Sequence, residues 1–222
     1  MQRILEPELM EDDAQARAYA EADFEVAHAS CITHFQQNFQ ESTLGRFVLD
    51  LGCGPGDISV RFARAYPTCI VHGVDGSKAM LGYGVKTLAA AKDVRERIKL
   101  IHGFLPGATL PRSKYDIIIS NSLLHHLPDP GVLWQTVREY ALPGSPVFVM
   151  DVLRPRSPEQ ARALVETYAG DEPDILQRDF YNSLLAGFEI DEIRGQLARA
   201  GLEGFSVEQV SDRHVIIAGR GP

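Results

Sequence analysis

The sequence predicts an α/β fold: one seven-stranded, mostly parallel sheet with an antiparallel last strand and helices on both faces. Three observations predict it. From Phe47 onward, short apolar runs alternate with amphipathic segments, the pattern of a parallel sheet whose crossovers are helices. The run Val48-Leu49-Asp50-Leu51-Gly52-Cys53-Gly54-Pro55-Gly56 reads as a strand entering a tight glycine-rich turn. The final two β-branched runs are joined by only Ser211-Asp212-Arg213. So short a link cannot cross over, so the last strand must run antiparallel.

The elements follow in order. Before the first strand, Phe24, His28, Cys31, Phe35 and Phe39 recur at three- and four-residue steps, which describes one helical face. Residues 1–42 are therefore expected to form an N-terminal helical cap. Strands are expected at Phe47–Leu51, Ile70–Asp75, Ile98–Ile101, Tyr115–Ser120 and Val147–Val152, then near Phe205–Val210 and His214–Ala218. Helices are expected at Asp57–Ala65, Ser77–Ala91, Gly131–Tyr140 and Glu189–Ala200. Residues 154–187 form an insertion after the fifth strand, rich in Pro, Asp and Arg, with Tyr168, Phe180 and Tyr181. The loops are short and carry no interdomain linker, so residues 1–222 are expected to be a single domain.

The glycine loop carries the first chemistry. Gly52 and Gly54 lack a Cβ, so a ligand can approach the backbone. The helix that follows offers free N–H groups to a ligand's negative end. A dinucleotide fingerprint spaces its glycines G-x-G-x-x-G. Here the third glycine comes one position early, at Gly56, and Asp57 stands where that fingerprint wants glycine. The G-x-G-x-G frame resembles the first motif of the Rossmann-like (class I) S-adenosylmethionine-dependent methyltransferases.

The next strand supports that resemblance. Cys69-Ile70-Val71-His72-Gly73-Val74-Asp75 ends in an acid, about 20 residues beyond the loop, where nucleotide-binding α/β units place a ribose ligand. Ser77 is a candidate N-cap for the helix that follows. The resemblance implies that Asp50, Gly52, Cys53 and Gly54 surround the methionine end of S-adenosylmethionine. It implies that Asp75, with Gly76 and Ser77, holds the ribose. Met80 or Ala79 would lie on the adenine face, though a core Met is an equal reading. After strand three, many relatives carry an Asp for the adenine amino group. This chain has His102-Gly103-Phe104-Leu105 instead, so Gly103 and Phe104 are the candidate contacts there. If the N-terminal segment covers the cleft, Tyr19, Asp23 and Phe24 come near the ligand.

The fourth strand runs into Asn121-Ser122-Leu123-Leu124-His125-His126-Leu127-Pro128-Asp129. This resembles a post-strand motif of small-molecule methyltransferases of the ubiquinone/menaquinone-biosynthesis type. Ligands of open α/β sheets bind beyond the carboxyl ends of the strands, which puts Asn121 and the His pair at the cleft. Asp151 ends strand five and is expected to face the same cleft. The resemblance implies His125 or His126 as a base oriented by Asp151; the alternatives are a buried structural His and an Asp paired with Arg154. No metal is expected, because no third ligand stands at a diagnostic spacing.

Composition restricts the partners. The net charge is −8, and no basic run suggests a phosphate-backbone footprint, so nucleic acid is disfavoured. No apolar run is long enough for a membrane span. Three cysteines without metal spacing fit a reducing, cytoplasmic setting. The expected function is methyl transfer from S-adenosylmethionine to a small-molecule acceptor, with oxygen favoured. The alternative is a catalytically silent nucleotide- or partner-binding domain of the same fold. The oligomeric state is not legible.

Overall fold

The computed structural model describes residues 1–7, 9–40 and 45–222. The expected end of the N-terminal cap at residue 42 lies outside the described residues. Seven strands, β1 (Phe47–Leu51), β2 (Ile70–Asp75), β3 (Ile98–His102), β4 (Ile117–Asn121), β5 (Pro146–Val152), β6 (Ser206–Gln209) and β7 (His214–Arg220), form one sheet in the order β3-β2-β1-β4-β5-β7-β6. Pairs β3–β2, β2–β1, β1–β4 and β4–β5 are parallel. Strand β7 is antiparallel to both of its neighbours, as the three-residue link requires. The order reverses between β1 and β4, and a cleft opens beyond the carboxyl ends there.

The helices are α1 (Asp13–Glu21), α2 (Glu25–Asn38), α3 (Asp57–Ala65), α4 (Lys78–Ala90), α5 (Gly131–Tyr140), α6 (Pro158–Ala169), α7 (Asp174–Ala186) and α8 (Ile190–Ala200). Their limits have local causes. Ser77 accepts from Met80 N and caps α4, Ser157 caps α6 with a proline in its first turn, and Glu189 with Glu192 forms a capping box on α8. The expected strand at Tyr115 begins two residues later. Tyr115 makes only an isolated bridge to Ala141, and its hydroxyl pairs with His72.

Two apolar layers sandwich the sheet. One joins Leu49, Tyr115, Trp134 of α5 and Leu197 of α8. The other joins Val48, Val71, Phe62 of α3 and Cys31, Phe35 and Phe39 of the N-terminal helical face. The Phe35 ring lies 4.9 Å from that of Phe62 and 5.7 Å from that of Phe148. The N-terminal segment therefore divides. Helix α2 is a core layer, while α1 and the residues before it lie over the cleft. The insertion is a helical hairpin, α6–α7, with its own small core around Val152, Ala161 and Leu184.

Candidate active site and cofactor cleft

The glycine loop is built by backbone necessity. Gly52, Gly54 and Gly56 have φ of +70°, +50° and +82°, a region that side-chain-bearing residues rarely adopt. A Cβ on Gly52 would lie 2.8 Å from Leu123, and one on Gly54 would meet Met80 at 3.2 Å. The N–H groups of Gly52 and Cys53 donate to the Val74 carbonyl, locking the loop onto β2. Asp75 ties the next turn down: its carboxylate accepts from Gly54 N at 2.8 Å and from Ser77 N at 2.7 Å. Each oxygen keeps further acceptor capacity, and Asp75 lines the cleft.

A cavity of about 550 Å³ lies above this loop, within the range of small-molecule and cofactor sites. All twelve residues expected at the cofactor line it: Tyr19, Asp50, Gly52, Cys53, Gly54, Asp75, Gly76, Ser77, Met80, Gly103, Phe104 and Asn121. Asp50 is buried and accepts from the Ser59 hydroxyl at 2.6 Å. Burial lifts its carboxyl to about 7 against that hydrogen bond. Burial likewise pushes the Cys53 thiol well up and the Tyr19 phenol to about 12, so both are neutral wall residues. Phe104 is 56% exposed and offers an aromatic face at the cleft. Met80 is buried and lines the cleft. Ser122, with φ of +56°, turns the chain sharply from β4 into the His motif, a left-handed conformation that costs energy outside glycine.

The His pair also lines the cavity. His125 Nδ1 is 2.6 Å from Asp151 Oδ1. Asp151 also accepts from the N–H groups of Leu124 and Val152, both at 2.7 Å. Two expectations need correction. Asp151 does not face the cleft: Met150 and Val152 line it, while Asp151 stands behind His125 and is only 2% exposed. Nor is Asp151 paired with Arg154, which bonds Glu189 and Glu192 instead.

A second acid completes the cluster. Glu6 Oε1 lies 3.2 Å from both His125 Nε2 and His126 Nδ1. Burial opposes a charge on His125, but Asp151 and Glu6 outweigh it and hold the ring at about 10. His125 is therefore a cation with both nitrogens engaged, and it cannot take a proton while Glu6 is in place. Burial and the His125 charge push His126 down to about 4. His126 is the neutral ring of the pair.

Glu6 is delivered by a strap. Arg3 donates to the carbonyls of Ala186, His125 and Leu127 at 2.6–3.0 Å and stacks 3.9 Å from the Phe188 ring centroid. At the other end, Ser77 Oγ donates to Met10 O at 2.7 Å. Leu9 and Met10 join the cavity wall. Sequence reasoning missed this strap because it has no periodicity. It also missed Asp57, which receives His28 Nδ1 at 2.7 Å and Arg61 Nε at 2.6 Å beside the cleft. The far wall comes from Tyr168 of α6, Glu172 between α6 and α7, Asp179, Phe180 and Ser183 of α7, and His214. Of the insertion aromatics, Tyr168 and Phe180 reach the cavity, and Tyr181 packs in the hairpin core. No helix among the described residues is long and apolar enough to cross a membrane.

Known proteins are similar to this chain in sequence and in fold. Residues 48–144 match the family described as "Methyltransferase domain". A 27-O-demethylrifamycin SV methyltransferase of Amycolatopsis mediterranei is 29% identical over 171 residues, covering 75% of this chain and 57% of its own length. The chain thus spans about half the length of the curated relatives it matches. Among solved structures, an S-adenosylmethionine-dependent methyltransferase from Aquifex aeolicus superposes with a TM-score of 0.66 at 15% identity, over 94% of this chain and 98% of that one. The plantazolicin methyltransferase, solved with S-adenosylhomocysteine (SAH), gives 0.67 at 13% identity, over 95% and 90%. At such identities the superpositions establish the fold; the family match spans the glycine loop, Asp75 and the His motif. Residues 48–144 carry a methyltransferase domain, and the chain is similar in sequence and in fold to S-adenosylmethionine-dependent methyltransferases.

Proposed function

We propose that this chain is a single-domain enzyme that transfers a methyl group from S-adenosylmethionine to a hydroxyl oxygen of a small-molecule acceptor. The observation that carries the reading is one cavity walled at one end by the glycine loop and Asp75 and at the other by His125, His126 and the α6–α7 hairpin. The wall fits the cofactor's chemistry. Asp50 is a buried acid with a single side-chain partner, suited to a cationic amine. Asp75 keeps acceptor directions for ribose hydroxyls, and Phe104 and Met80 offer faces for a purine. When bound, S-adenosylmethionine supplies an electrophilic methyl group.

The protein's own residues then have two tasks. The hairpin residues, Asp179 and Phe180 among them, hold the acceptor in line, and orientation can contribute several kcal/mol, about 7–11 in the best cases. The imidazole–carboxylate cluster takes the acceptor's proton as the O–C bond forms. His126, neutral and facing the cavity, is the ring able to accept it. Asp151 and His125 fix the loop that carries it. An oxygen acceptor is supported by this cluster and by the name of the rifamycin relative. The acidic surface disfavours nucleic acid. The cap is residues 1–21, and residues 154–187 supply acceptor specificity.

Thermal shift and calorimetry with S-adenosylmethionine, SAH and NAD test the reading. The first two should bind and stabilise the protein by mass action. Binding of NAD alone would overturn it. Cofactor binding with no conversion of S-adenosylmethionine to SAH across a panel of phenols and hydroxylated polyketides would favour a silent domain.

A further inference from the structure

We propose that Glu6, His125 and His126 form a binding site for a divalent cation of the zinc class, with Asp151 as the positioning residue behind His125. Glu6 Oε1 is 3.2 Å from each histidine nitrogen, and the three ligand atoms all lie within 4.8 Å of one another. Zinc bonds of about 2.0–2.2 Å in tetrahedral geometry separate neighbouring ligand atoms by about 3.3–3.6 Å. The cluster therefore needs only small shifts to enclose an ion.

Two further observations point the same way. His126 Nδ1 is buried and has no hydrogen-bond partner among the described residues, although Glu6 is 3.2 Å away. The two atoms are close without the alignment of a hydrogen bond, and buried polar atoms are rarely left so. On the other side, Asp151 Oδ1 is 2.6 Å from His125 Nδ1. A metal ion would displace the Nε2 proton of His125, leaving the Nδ1–H donating to Asp151 and the Nε2 lone pair free to ligate. A carboxylate behind a ligating histidine fixes its tautomer and raises its basicity. Ser183 Oγ, 3.3 Å from both Glu6 oxygens, orients the carboxylate. Two imidazoles and one carboxylate suit zinc and its neighbours better than magnesium or calcium.

The expectation of no metal rested on the lack of a third ligand near the His pair in sequence, and Glu6 arrives from the strap instead. The site does not depend on the methyl acceptor. In the loaded form both rings are ligands rather than bases, so metal occupancy and base catalysis are alternatives that can be separated experimentally.

The test uses the full-length chain, tag-free and stripped with a chelator, titrated with Zn²⁺ by calorimetry and with Co²⁺ by visible absorption. One equivalent should bind with a dissociation constant below micromolar, and Co²⁺ should give the intense bands of a tetrahedral site without thiolate charge transfer. Glu6→Gln and His126→Asn should each weaken binding at least 100-fold, and Asp151→Asn about 10–100-fold, while SAH binding persists as the control for folding. Unchanged affinity in Glu6→Gln, no stoichiometric binding, or a thiolate band from a cysteine would each overturn the site. If a variant fails to fold, the wild-type Co²⁺ spectrum alone decides. Loss of metal binding with SAH binding intact would leave the methyltransferase reading standing.

Discussion

His125 donates from Nδ1 to Oδ1 of Asp151 across 2.6 Å, with both side chains almost wholly buried. The two residues come from different elements, the turn after β4 and the end of β5. A buried ion pair whose acid also accepts two backbone N–H groups holds that turn in one conformation. In the metal-free protein it also sets the sign of a pH effect.

His125 is held at about 10 in the folded state, above its ordinary value near 6.5. Its contribution to stability is therefore complete below about pH 6.5 and is lost as pH rises toward 10. His126, held at about 4, acts oppositely: its contribution is present above about 6.5 and is lost as pH falls through 4. Asp151→Asn should cost about 3–5 kcal/mol at pH 6, the range for breaking a buried pair, and should flatten the decline between pH 7 and 10. Urea unfolding at pH 6 and pH 9 measures both. Equal costs at the two pH values would mean that His125 is not charged.

Asp50 predicts a pH-dependent cofactor affinity. Burial raises its folded-state carboxyl to about 7, so its stabilising proton is lost, and stability falls, as pH rises from about 4 through 7. A cationic ligand prefers the ionised form. S-adenosylmethionine should therefore bind more tightly as pH rises from 5.5 to 7.5, with proton release on binding. Calorimetry in buffers of different ionisation enthalpy reads that release, and Asp50→Asn should remove it.

If Asp75 holds the ribose as proposed, Asp75→Ala removes two acceptors, each charge-assisted and worth about 1.5–3 kcal/mol. It also frees the N–H groups of Gly54 and Ser77. Binding of SAH should weaken at least tenfold, and an unchanged dissociation constant would remove Asp75 from the site. Gly54→Val should abolish binding through both its φ of +50° and its approach to Met80.

In the metal-free enzyme, His126→Ala should lower kcat on a hydroxyl acceptor by about 10²–10⁴ with SAH affinity intact. Full activity in that variant would mean that orientation alone drives transfer.

Deleting residues 1–11 removes the strap but no member of the two sheet-facing cores. That variant should fold and bind cofactor more weakly, because Leu9 and Met10 leave the cavity wall. Deleting residues 1–30 cuts α2 and should lower the melting temperature sharply, since Cys31, Phe35 and Phe39 are core. Circular dichroism melts with SAH titration separate the two outcomes. Normal cofactor binding by the shorter deletion would show that the strap is not a lid.

The sheet and most of the cofactor end were legible in the sequence because their causes are local. Period and turn length set β1, β2, the antiparallel β7 and α3. The glycines at positive φ announce the loop, and Asp75 follows at a fixed distance along one βαβ unit. The acceptor end was only half legible. The His pair and Asp151 could be placed at neighbouring strand ends, but not which atoms face the cleft. That depends on the turn at Ser122, which puts Asp151 behind His125 rather than beside it. Glu6 was not legible at all. It lies in a segment with no helical or strand period, and its position is decided by Arg3 bonding to carbonyls of Ala186, His125 and Leu127. Those acceptors become neighbours only when the sheet is assembled. Sequence by itself determined most of the elements, the glycine loop and the resemblance to methyltransferases. Tertiary structure decided the burial of α2, the path of the strap and the charges of the two histidines. Those depend on desolvation and on distances between groups remote in the chain, which no local pattern encodes.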